Sequence, residues 1–235
     1  MNLLLVPTLL VFLNQPAAPG MHDLTLKVSD VGDVLYGLSI PKDYDPRRPR
    51  PLVLALHPGG SRIRYYGSAF TRQVIAPALK DLDPIIVAPD CPTGAWTDPI
   101  AERAVMALLA SVLDDYAVDR RRILVTGFSL GGRGTWFMAS RHADLFTAAI
   151  PMAASTGDDP IDRLGTIPTY VIHSRDDAVV PFAPAERIAR QLEQMGRPVR
   201  FEALRHLGHF EMGGYVDALR QAGCWIAERW NRQAP

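Results

Sequence analysis

The sequence contains little cysteine, no excess of either charge and no long hydrophobic run. Its 235 residues include two cysteines, and 25 basic residues balance 25 acidic ones. Two cysteines cannot build a disulfide framework and are too few for a structural zinc site of the usual kind. A net charge of zero argues against work on nucleic acid or on an anionic membrane, because both require a basic face. What remains is an ordinary globular composition, 48% apolar and 21% charged, with enough length to bury a large core.

The first twenty residues differ from the rest of the chain. Leu3–Leu13 is an apolar stretch that is too short to span a bilayer, which takes about 20 apolar residues. We predict a secretory signal peptide over residues 1–20 and a single mature domain over 21–235. No basic residue precedes the stretch, so a short strand or the uncharged start of a cytosolic protein is the alternative. Export would bring Cys91 and Cys224 into an oxidising compartment, as a disulfide or as two free thiols.

Beyond the N-terminal segment, short apolar runs alternate with longer stretches of helical spacing. Runs such as Leu52–His57 are apolar throughout, which is typical of strands buried on both faces of a parallel sheet. The alternation predicts an α/β fold with a mostly parallel sheet and helices on both faces. The predicted strands are Leu24–Val28, Val34–Ile40, Leu52–His57, Ile85–Ala88, Ile123–Thr126, Ala148–Met152, Tyr170–His173 and Val199–Leu204. The predicted helices are Ala69–Lys80, Glu102–Tyr116, Gly131–Arg141, Pro184–Met195 and Tyr215–Arg229.

The most specific motif is Gly127–Gly131, which reads G-F-S-L-G and matches the G-x-S-x-G nucleophile turn. The buried strand Ile123–Thr126 precedes it and a helical stretch follows it. A serine on such a sharp turn stands above the sheet, and the amides of the helix N-terminus face a developing oxyanion. Ser129 is therefore the candidate nucleophile. The alternative is a glycine-rich strand–helix turn that happens to contain a serine.

A second motif, His57-Pro58-Gly59-Gly60, follows a predicted strand. It is similar to the H-G-G-G turn that supplies one backbone N–H of an oxyanion hole. Pro58 has no N–H to donate, so Gly59 or Gly60 is the candidate donor. Leu130, the residue after the serine, would supply the other N–H. We expect the His57 side chain to hold the turn by hydrogen bonding and not to act as a base.

A serine nucleophile needs a base and an orienting acid, because free serine is almost wholly protonated at neutral pH. The acid candidates, Asp176 and Asp177, are neighbours at the end of a predicted strand, and only one of them can point at the base. The base candidates, His206 and His209, follow the last predicted strand. We choose His209 because Gly208 precedes it and gives its loop the flexibility to reach both partners.

These motifs make the chain resemble the α/β-hydrolase superfamily. Within it, the chain looks like the bacterial esterases grouped with dienelactone hydrolase, phospholipase/carboxylesterase and the catalytic domain of prolyl oligopeptidase. The resemblance runs from about Val34 to Trp230. It rests on the segments IPKDYDP, LHPGG, APDCP, VDRRRILVTGFSLGGRGTW, HSRDDAVVP and LGH. The family's H-x-x-x-D-x-x-V-P pattern selects Asp177 as the acid, and leaves Asp176 as a solvated loop residue and His173 as a structural one.

The resemblance implies a carboxylic ester hydrolase that works through an acyl-enzyme intermediate. It places the triad on Ser129, Asp177 and His209, in the chain order of the α/β-hydrolases, and implies no metal and no organic cofactor. One alternative is a serine peptidase of the prolyl oligopeptidase type, although the chain lacks the large N-terminal propeller of those enzymes. The other is a catalytically inactive hydrolase fold that serves for binding.

The substrate is less well defined than the reaction. Members of this superfamily usually carry a cap after the sixth strand, whereas only Ala153–Ile167 are available here. We therefore expect an open cleft that accepts small esters as well as esters linked to polysaccharide, and no nucleic-acid or membrane partner. The aromatic residues Trp96, Tyr65, Tyr66 and Phe210 are candidates for lining this cleft, with ordinary packing as the alternative for each.

Overall fold

The computed structural model describes residues 17–60 and 63–232, and within them eight strands form one sheet. The strands are β1 Gly20–Val28, β2 Gly32–Ile40, β3 Arg50–Leu56, β4 Ile85–Pro89, β5 Val118–Phe128, β6 Ala148–Met152, β7 Thr169–Ser174 and β8 Val199–Leu204. Their order across the sheet is β1-β2-β4-β3-β5-β6-β7-β8. β1 pairs antiparallel with β2, and β2 antiparallel with β4, while the other pairs are parallel. The predicted α/β fold with a mostly parallel sheet is confirmed.

Helices connect the parallel strands. They are α1 Tyr66–Phe70, α2 Ala76–Leu79, α3 Pro99–Asp115, α4 Leu130–Arg141, α5 Phe182–Gln194 and α6 Val216–Arg232. A π-helical turn, Thr71–Ile75, joins α1 to α2, so the predicted helix over 69–80 is present but irregular. The start of α3 follows from its sequence, because the Asp98 side chain accepts the Ile100 N–H at 2.7 Å and proline occupies the first helical position.

The apolar core lies on both sides of the sheet. On one side, α3, α4 and α5 pack in the cluster that contains Leu52, Leu54 and Leu56 of β3. On the other side, α1, α2 and α6 pack in the cluster that contains Val53 and Ala55. Successive side chains of a strand point to opposite faces, so a strand that is buried on both faces must be apolar at every position. This explains the continuous run that the sequence shows in β3.

The segment between β6 and β7, residues 153–168, contains a single 3-10 turn, Ile161–Leu164, and no longer helix. The end of the sheet that carries the nucleophile turn is therefore not covered from this side by a helical cap. Residues 1–16 of the predicted signal peptide lie outside the described residues. Within the described ranges, no helix combines the length and apolarity needed to cross a membrane. Cys91 and Cys224 are both free thiols, the second of the two alternatives that the sequence offers.

Candidate active site

Ser129 is the single residue between the end of β5 and the start of α4, and its backbone is strained, with φ 54° and ψ −114°. Its N–H donates to the carbonyl oxygen of Met152 at 2.9 Å. A Cβ atom at Gly127 would overlap the backbone of Gly131, and one at Gly131 would overlap the carbonyl oxygen of Leu56. The two glycines of the motif are therefore required because the turn lies directly against β3.

A continuous chain of hydrogen bonds connects the three candidate triad residues. His209 Nε2 lies 2.8 Å from Ser129 Oγ, and His209 Nδ1 lies 2.7 Å from Asp177 Oδ2. In the tautomer that fits both contacts, the serine hydroxyl donates to Nε2 and the Nδ1–H donates to the carboxylate. Both Asp177 and His209 are buried. The loops after β5, β7 and β8 thus bring together residues that are far apart in the chain.

The Asp177 carboxylate is held by several donors. Its Oδ1 accepts the backbone N–H groups of Val179 and Val180 at 2.9 and 2.8 Å. Burial opposes ionisation, but the hydrogen bond from His209 and these two N–H groups outweigh it and lower the pKa of Asp177. The group is therefore ionised at neutral pH and suited to stabilising a positive charge on the imidazole of His209.

The oxyanion turn, residues 57–60, is anchored by the side chain of His57. Its Nδ1–H donates to the Pro58 carbonyl oxygen at 2.6 Å, and its Nε2 accepts the Cys91 N–H at 3.0 Å. Burial lowers the pKa of His57, which favours the neutral form that this pattern requires. A Cβ atom at Gly59 would lie 3.4 Å from the Leu130 side chain. The two candidate oxyanion donors, Gly59 and Leu130, are therefore adjacent.

Trp96 was predicted to line the cleft, and that prediction is wrong. The side chain is 1% exposed, and its Nε1–H donates to the carbonyl oxygen of His57 at 3.0 Å. It lies beneath the oxyanion turn and supports it from inside the core. The sequence had no signal for this, because a tryptophan after a buried strand can point either into the core or into the cleft.

A cavity of about 410 Å³ opens between the oxyanion turn and the loop after β4. Leu130 and Tyr66 are among its lining residues, and the Tyr66 ring lies 4.6 Å from that of His57. Tyr65 is not part of this lining, and its hydroxyl lies 3.5 Å from Thr25 on β1. For this cavity the expectation thus holds for Tyr66 and is wrong for Tyr65.

Phe210 is the most exposed of the large apolar side chains at this end of the sheet. It is 85% exposed, and its ring stands edge-on to His209, 5.5 Å away. Ile63 and Val179, each 54% exposed, are the other exposed apolar residues on these loops. Phe210 is therefore available to a substrate on the side of the base.

Three polar residues around the candidate triad also take part in hydrogen bonds. His173, which is fully buried, lies 3.0 Å from the Val180 carbonyl oxygen and 3.4 Å from Asp177 Oδ2 through its Nε2. Asp176 is an exposed loop residue, as expected, and its Oδ2 also accepts the backbone N–H of His206 at 2.6 Å. Glu211, which the sequence analysis missed, lies three residues after Gly208, the spacing at which a glutamate reaches back to an N–H at a helix start.

No metal site is apparent at this location. Among the residues that the structure describes, no group of three or more His, Cys, Asp or Glu side chains is placed to hold a metal ion. The side-chain polar atoms of Ser129, His209 and Asp177 bind one another and the backbone. The arrangement is suited to proton transfer and to stabilising a negatively charged oxygen by backbone N–H groups.

Comparisons with known proteins identify the family and the fold of this chain. Residues 93–210 match the profile of the dienelactone hydrolase family. Feruloyl esterase C of Emericella nidulans is 30% identical over 195 residues, which cover 75% of this chain and 70% of that protein. The crystal structure of a thermostable esterase is similar with a TM-score of 0.76 and 28% identity over 88% of this chain and 62% of the other. A solved ferulic acid esterase, at 16% identity, shares the fold with a TM-score of 0.73 and covers 90% of this chain and 98% of its own.

The sheet order, the nucleophile turn and these similarities define a carboxylic ester hydrolase of the α/β-hydrolase class. The chain belongs to the dienelactone hydrolase family. It spans 62% of the length of the thermostable esterase.

Proposed function

We propose that this protein is a serine esterase in which Ser129, His209 and Asp177 form the catalytic triad. The observation that carries the proposal is the hydrogen-bonded chain from Ser129 Oγ through His209 to Asp177, with distances of 2.8 and 2.7 Å. These distances are within the range that a general base needs to remove the serine proton. An inactive binding protein of this fold would have no need to keep the three groups aligned.

In the first half of the reaction, Ser129 Oγ attacks the ester carbonyl carbon while His209 Nε2 takes the hydroxyl proton. Ionised Asp177 stabilises the imidazolium that forms. The carbonyl oxygen becomes an oxyanion and accepts the N–H of Leu130 together with that of Gly59 or Gly60. The loss of one such donor typically costs about 2.7–4 kcal/mol of transition-state stabilisation. His209 then protonates the leaving alcohol. In the second half, His209 takes a proton from water, which attacks the acyl-enzyme, and the proton passes to Ser129 Oγ as the acid is released.

We also propose an orientation for the substrate in this geometry. The leaving oxygen must lie beside His209 Nε2 to receive its proton, so the alcohol extends towards Phe210. The acyl group then extends towards the cavity that Leu130 and Tyr66 line. An aromatic ring in that cavity and a saccharide on the exposed ring of Phe210 fit these two surfaces. Since several relatives carry the name feruloyl esterase, we favour an aromatic acyl ester, free or linked to polysaccharide.

Labelling with a fluorophosphonate probe tests the triad. Wild-type protein should be labelled and should hydrolyse short para-nitrophenyl esters, because Ser129 is activated by His209. Ser129→Ala should lose both properties, whereas Ser155→Ala, which changes a serine on the neighbouring loop, should retain them. Labelling that persists in Ser129→Ala would contradict the assignment of the nucleophile.

A panel of substrates tests the specificity. Methyl ferulate, a feruloylated arabinose, an acetylated xylan and a proline-containing peptide should be compared at equal concentration. We expect the feruloyl esters to be cleaved fastest and the peptide not to be cleaved. Faster cleavage of the peptide would favour the alternative, a serine peptidase.

We also propose that residues 1–20 are a secretory signal and that 21–235 form one catalytic domain. Support comes from the apolar stretch Leu3–Leu13 and from the position of β1, which begins at Gly20, so cleavage before Met21 leaves the sheet almost whole. N-terminal sequencing of protein recovered outside expressing cells tests this. An uncleaved chain that stays in the cytoplasm would contradict it.

A further inference from the structure

Two neighbouring carboxylates, Asp176 and Asp177, contact the loop that carries His209 at two different residues. The acid loop, residues 174–180, carries Asp177, which accepts the imidazole N–H of His209 at 2.7 Å. It also carries Asp176, whose Oδ2 accepts the backbone N–H of His206 at 2.6 Å. Asp176 is itself fixed, because its own N–H donates to Ser174 Oγ at 3.2 Å. One loop therefore holds both the ring of the base and the backbone three residues before it.

Glu211 holds the base loop, residues 205–211, from its other end. Its Oε2 accepts the Gly208 N–H at 2.6 Å, and its own N–H donates to the Gly208 carbonyl oxygen at 3.2 Å. Both backbone polar groups of Gly208, the residue before His209, are thus hydrogen-bonded to Glu211.

The base loop needs such contacts because it is exposed and strained. His206, Phe210 and Glu211 are exposed to solvent. His206 has a φ of 62°, a conformation that a non-glycine residue holds only when its surroundings enforce it. Without these hydrogen bonds, such a loop would populate several conformations, and the imidazole of His209 would take a different position in each.

We propose that Asp176 and Glu211 are positioning residues that fix the backbone of the base loop, so that His209 Nε2 stays within reach of Ser129 Oγ. The inference rests on the proposed triad function. Neither carboxylate contacts the reacting atoms. Asp176 acts through the N–H of His206 and Glu211 through the N–H of Gly208, and both of these N–H groups precede His209 in the chain. A displacement of a catalytic group by about 1 Å can lower the rate by up to about a hundredfold, so these two hydrogen bonds should affect kcat more than substrate binding.

The test compares the removal and the conservative replacement of each carboxylate. Asp176→Ala and Glu211→Ala should lower kcat for para-nitrophenyl acetate by about tenfold or more, with KM within about twofold. Asp176→Asn and Glu211→Gln should restore most of this loss, because an amide oxygen accepts the same backbone N–H. Asp144→Ala, which removes an exposed carboxylate outside these loops, is the matched control and should behave like the wild type.

Thermal unfolding and the rate of fluorophosphonate labelling complete the test. The alanine variants should be labelled more slowly than the wild type while unfolding within a few degrees of it. An alanine variant with wild-type kcat would overturn the role of that residue. A loss of kcat that the amide variant does not restore, and that follows a loss of folded protein, would overturn it as well. Wild-type protein that neither hydrolyses esters nor takes the label would instead defeat the proposed function, before any variant is compared.

Discussion

At the scale of single residues, the candidate site depends on the hydrogen bonds that individual buried polar atoms make beneath it. Trp96 and Trp136 are both 1% exposed, yet their indole N–H groups differ. That of Trp96 donates to the carbonyl oxygen of His57, whereas that of Trp136 is buried and has no partner within the described residues. A buried hydrogen bond contributes about 1 kcal/mol, and an acceptor left alone costs about 1–3 kcal/mol. A comparison of the two tryptophans therefore isolates the effect of the indole hydrogen bond from the effect of side-chain volume.

We expect Trp96→Phe to lower the free energy of unfolding by about 1 kcal/mol more than Trp136→Phe. Both variants remove a similar volume, but only the first leaves the His57 carbonyl oxygen without its donor. Because this carbonyl belongs to the oxyanion turn, kcat should also fall in Trp96→Phe and not in Trp136→Phe. Urea unfolding and ester hydrolysis measure the two effects. Equal losses in both variants would show that volume alone matters.

Phe210→Ala should change specificity more than reactivity. With its exposed ring removed, kcat/KM for a feruloylated arabinose should fall about fivefold to tenfold, equivalent to about 1 kcal/mol of lost contact. The value for methyl ferulate should change less than twofold, since methanol does not reach the ring. Ile100→Ala, at an apolar residue 38% exposed at the start of α3, is the control. Equal losses for both esters would refute a leaving-group contact.

At the scale of elements, the nucleophile turn exists because α4 starts in direct contact with β3. Gly131 lies against the carbonyl oxygen of Leu56, and Gly134 lies against the side chains of Trp96 and Leu56. The first turn of α4 can therefore approach the sheet closely enough to put Ser129 at the edge of the oxyanion turn. The helix also aims its free N–H groups at the same point.

Gly131→Ala tests this contact. The added Cβ would overlap the backbone of Leu56, so the helix or the strand must move, and overpacking of this kind typically costs about 1–3 kcal/mol. Gly213→Ala is the control, because no atom lies within 4 Å of a Cβ at that position, and it should stay within about 0.5 kcal/mol of the wild type. Denaturant unfolding compares them. A Gly131→Ala protein as stable and as active as the control would contradict the close packing.

At the scale of the whole molecule, burial of imidazole groups connects stability to pH. Burial lowers the pKa of both His57 and His173 from the ordinary value of 6.5. The unfolded chain then binds more protons than the native one, so the free energy of unfolding rises with pH in this range. The contribution is complete above about pH 6.5 and is lost as the pH falls below that value towards the folded pKa. The lowered pKa of Asp177 has the same sign but acts at far more acidic pH, below about 4.

We therefore expect the free energy of unfolding to be nearly constant from about pH 7 to pH 8 and to fall as the solution is acidified further. Each histidine contributes a slope of at most about 1.4 kcal/mol per pH unit. His173→Gln, which keeps an N–H near the Val180 carbonyl oxygen and cannot titrate, should show a shallower slope. Denaturant unfolding at several pH values measures it. A stability that does not change between pH 5 and pH 8 would contradict the neutral burial of both rings.

Much of the fold could be predicted because the relevant signals are local. The apolar run of β3 reports burial on both faces, and the glycines of the G-F-S-L-G segment report a turn that tolerates no side chain. These requirements hold wherever the elements lie, so they are readable from neighbouring residues alone. The family resemblance then assigned Asp177 and the order of the three candidate residues.

What could not be predicted depends on contacts between distant segments. The resemblance assigned Asp177 as the partner of His209, but only the position of the base loop shows that the neighbouring Asp176 accepts the N–H of His206. Tyr65 and Tyr66 differ in the same way, since one lies near β1 and the other lines the cavity.

By itself, the sequence determined the class of fold, the strand–helix turn around Ser129 and the types of residue that serve it, because backbone sterics and side-chain periodicity act over a few positions. The tertiary structure alone decided that Tyr66 and not Tyr65 lines the cavity, that Asp176 binds the base loop, and that Trp96 lies in the core. In a loop, the side chains of two neighbouring residues point in different directions. Each direction is set by the free energy of packing and hydrogen bonding with segments that are far away in the chain.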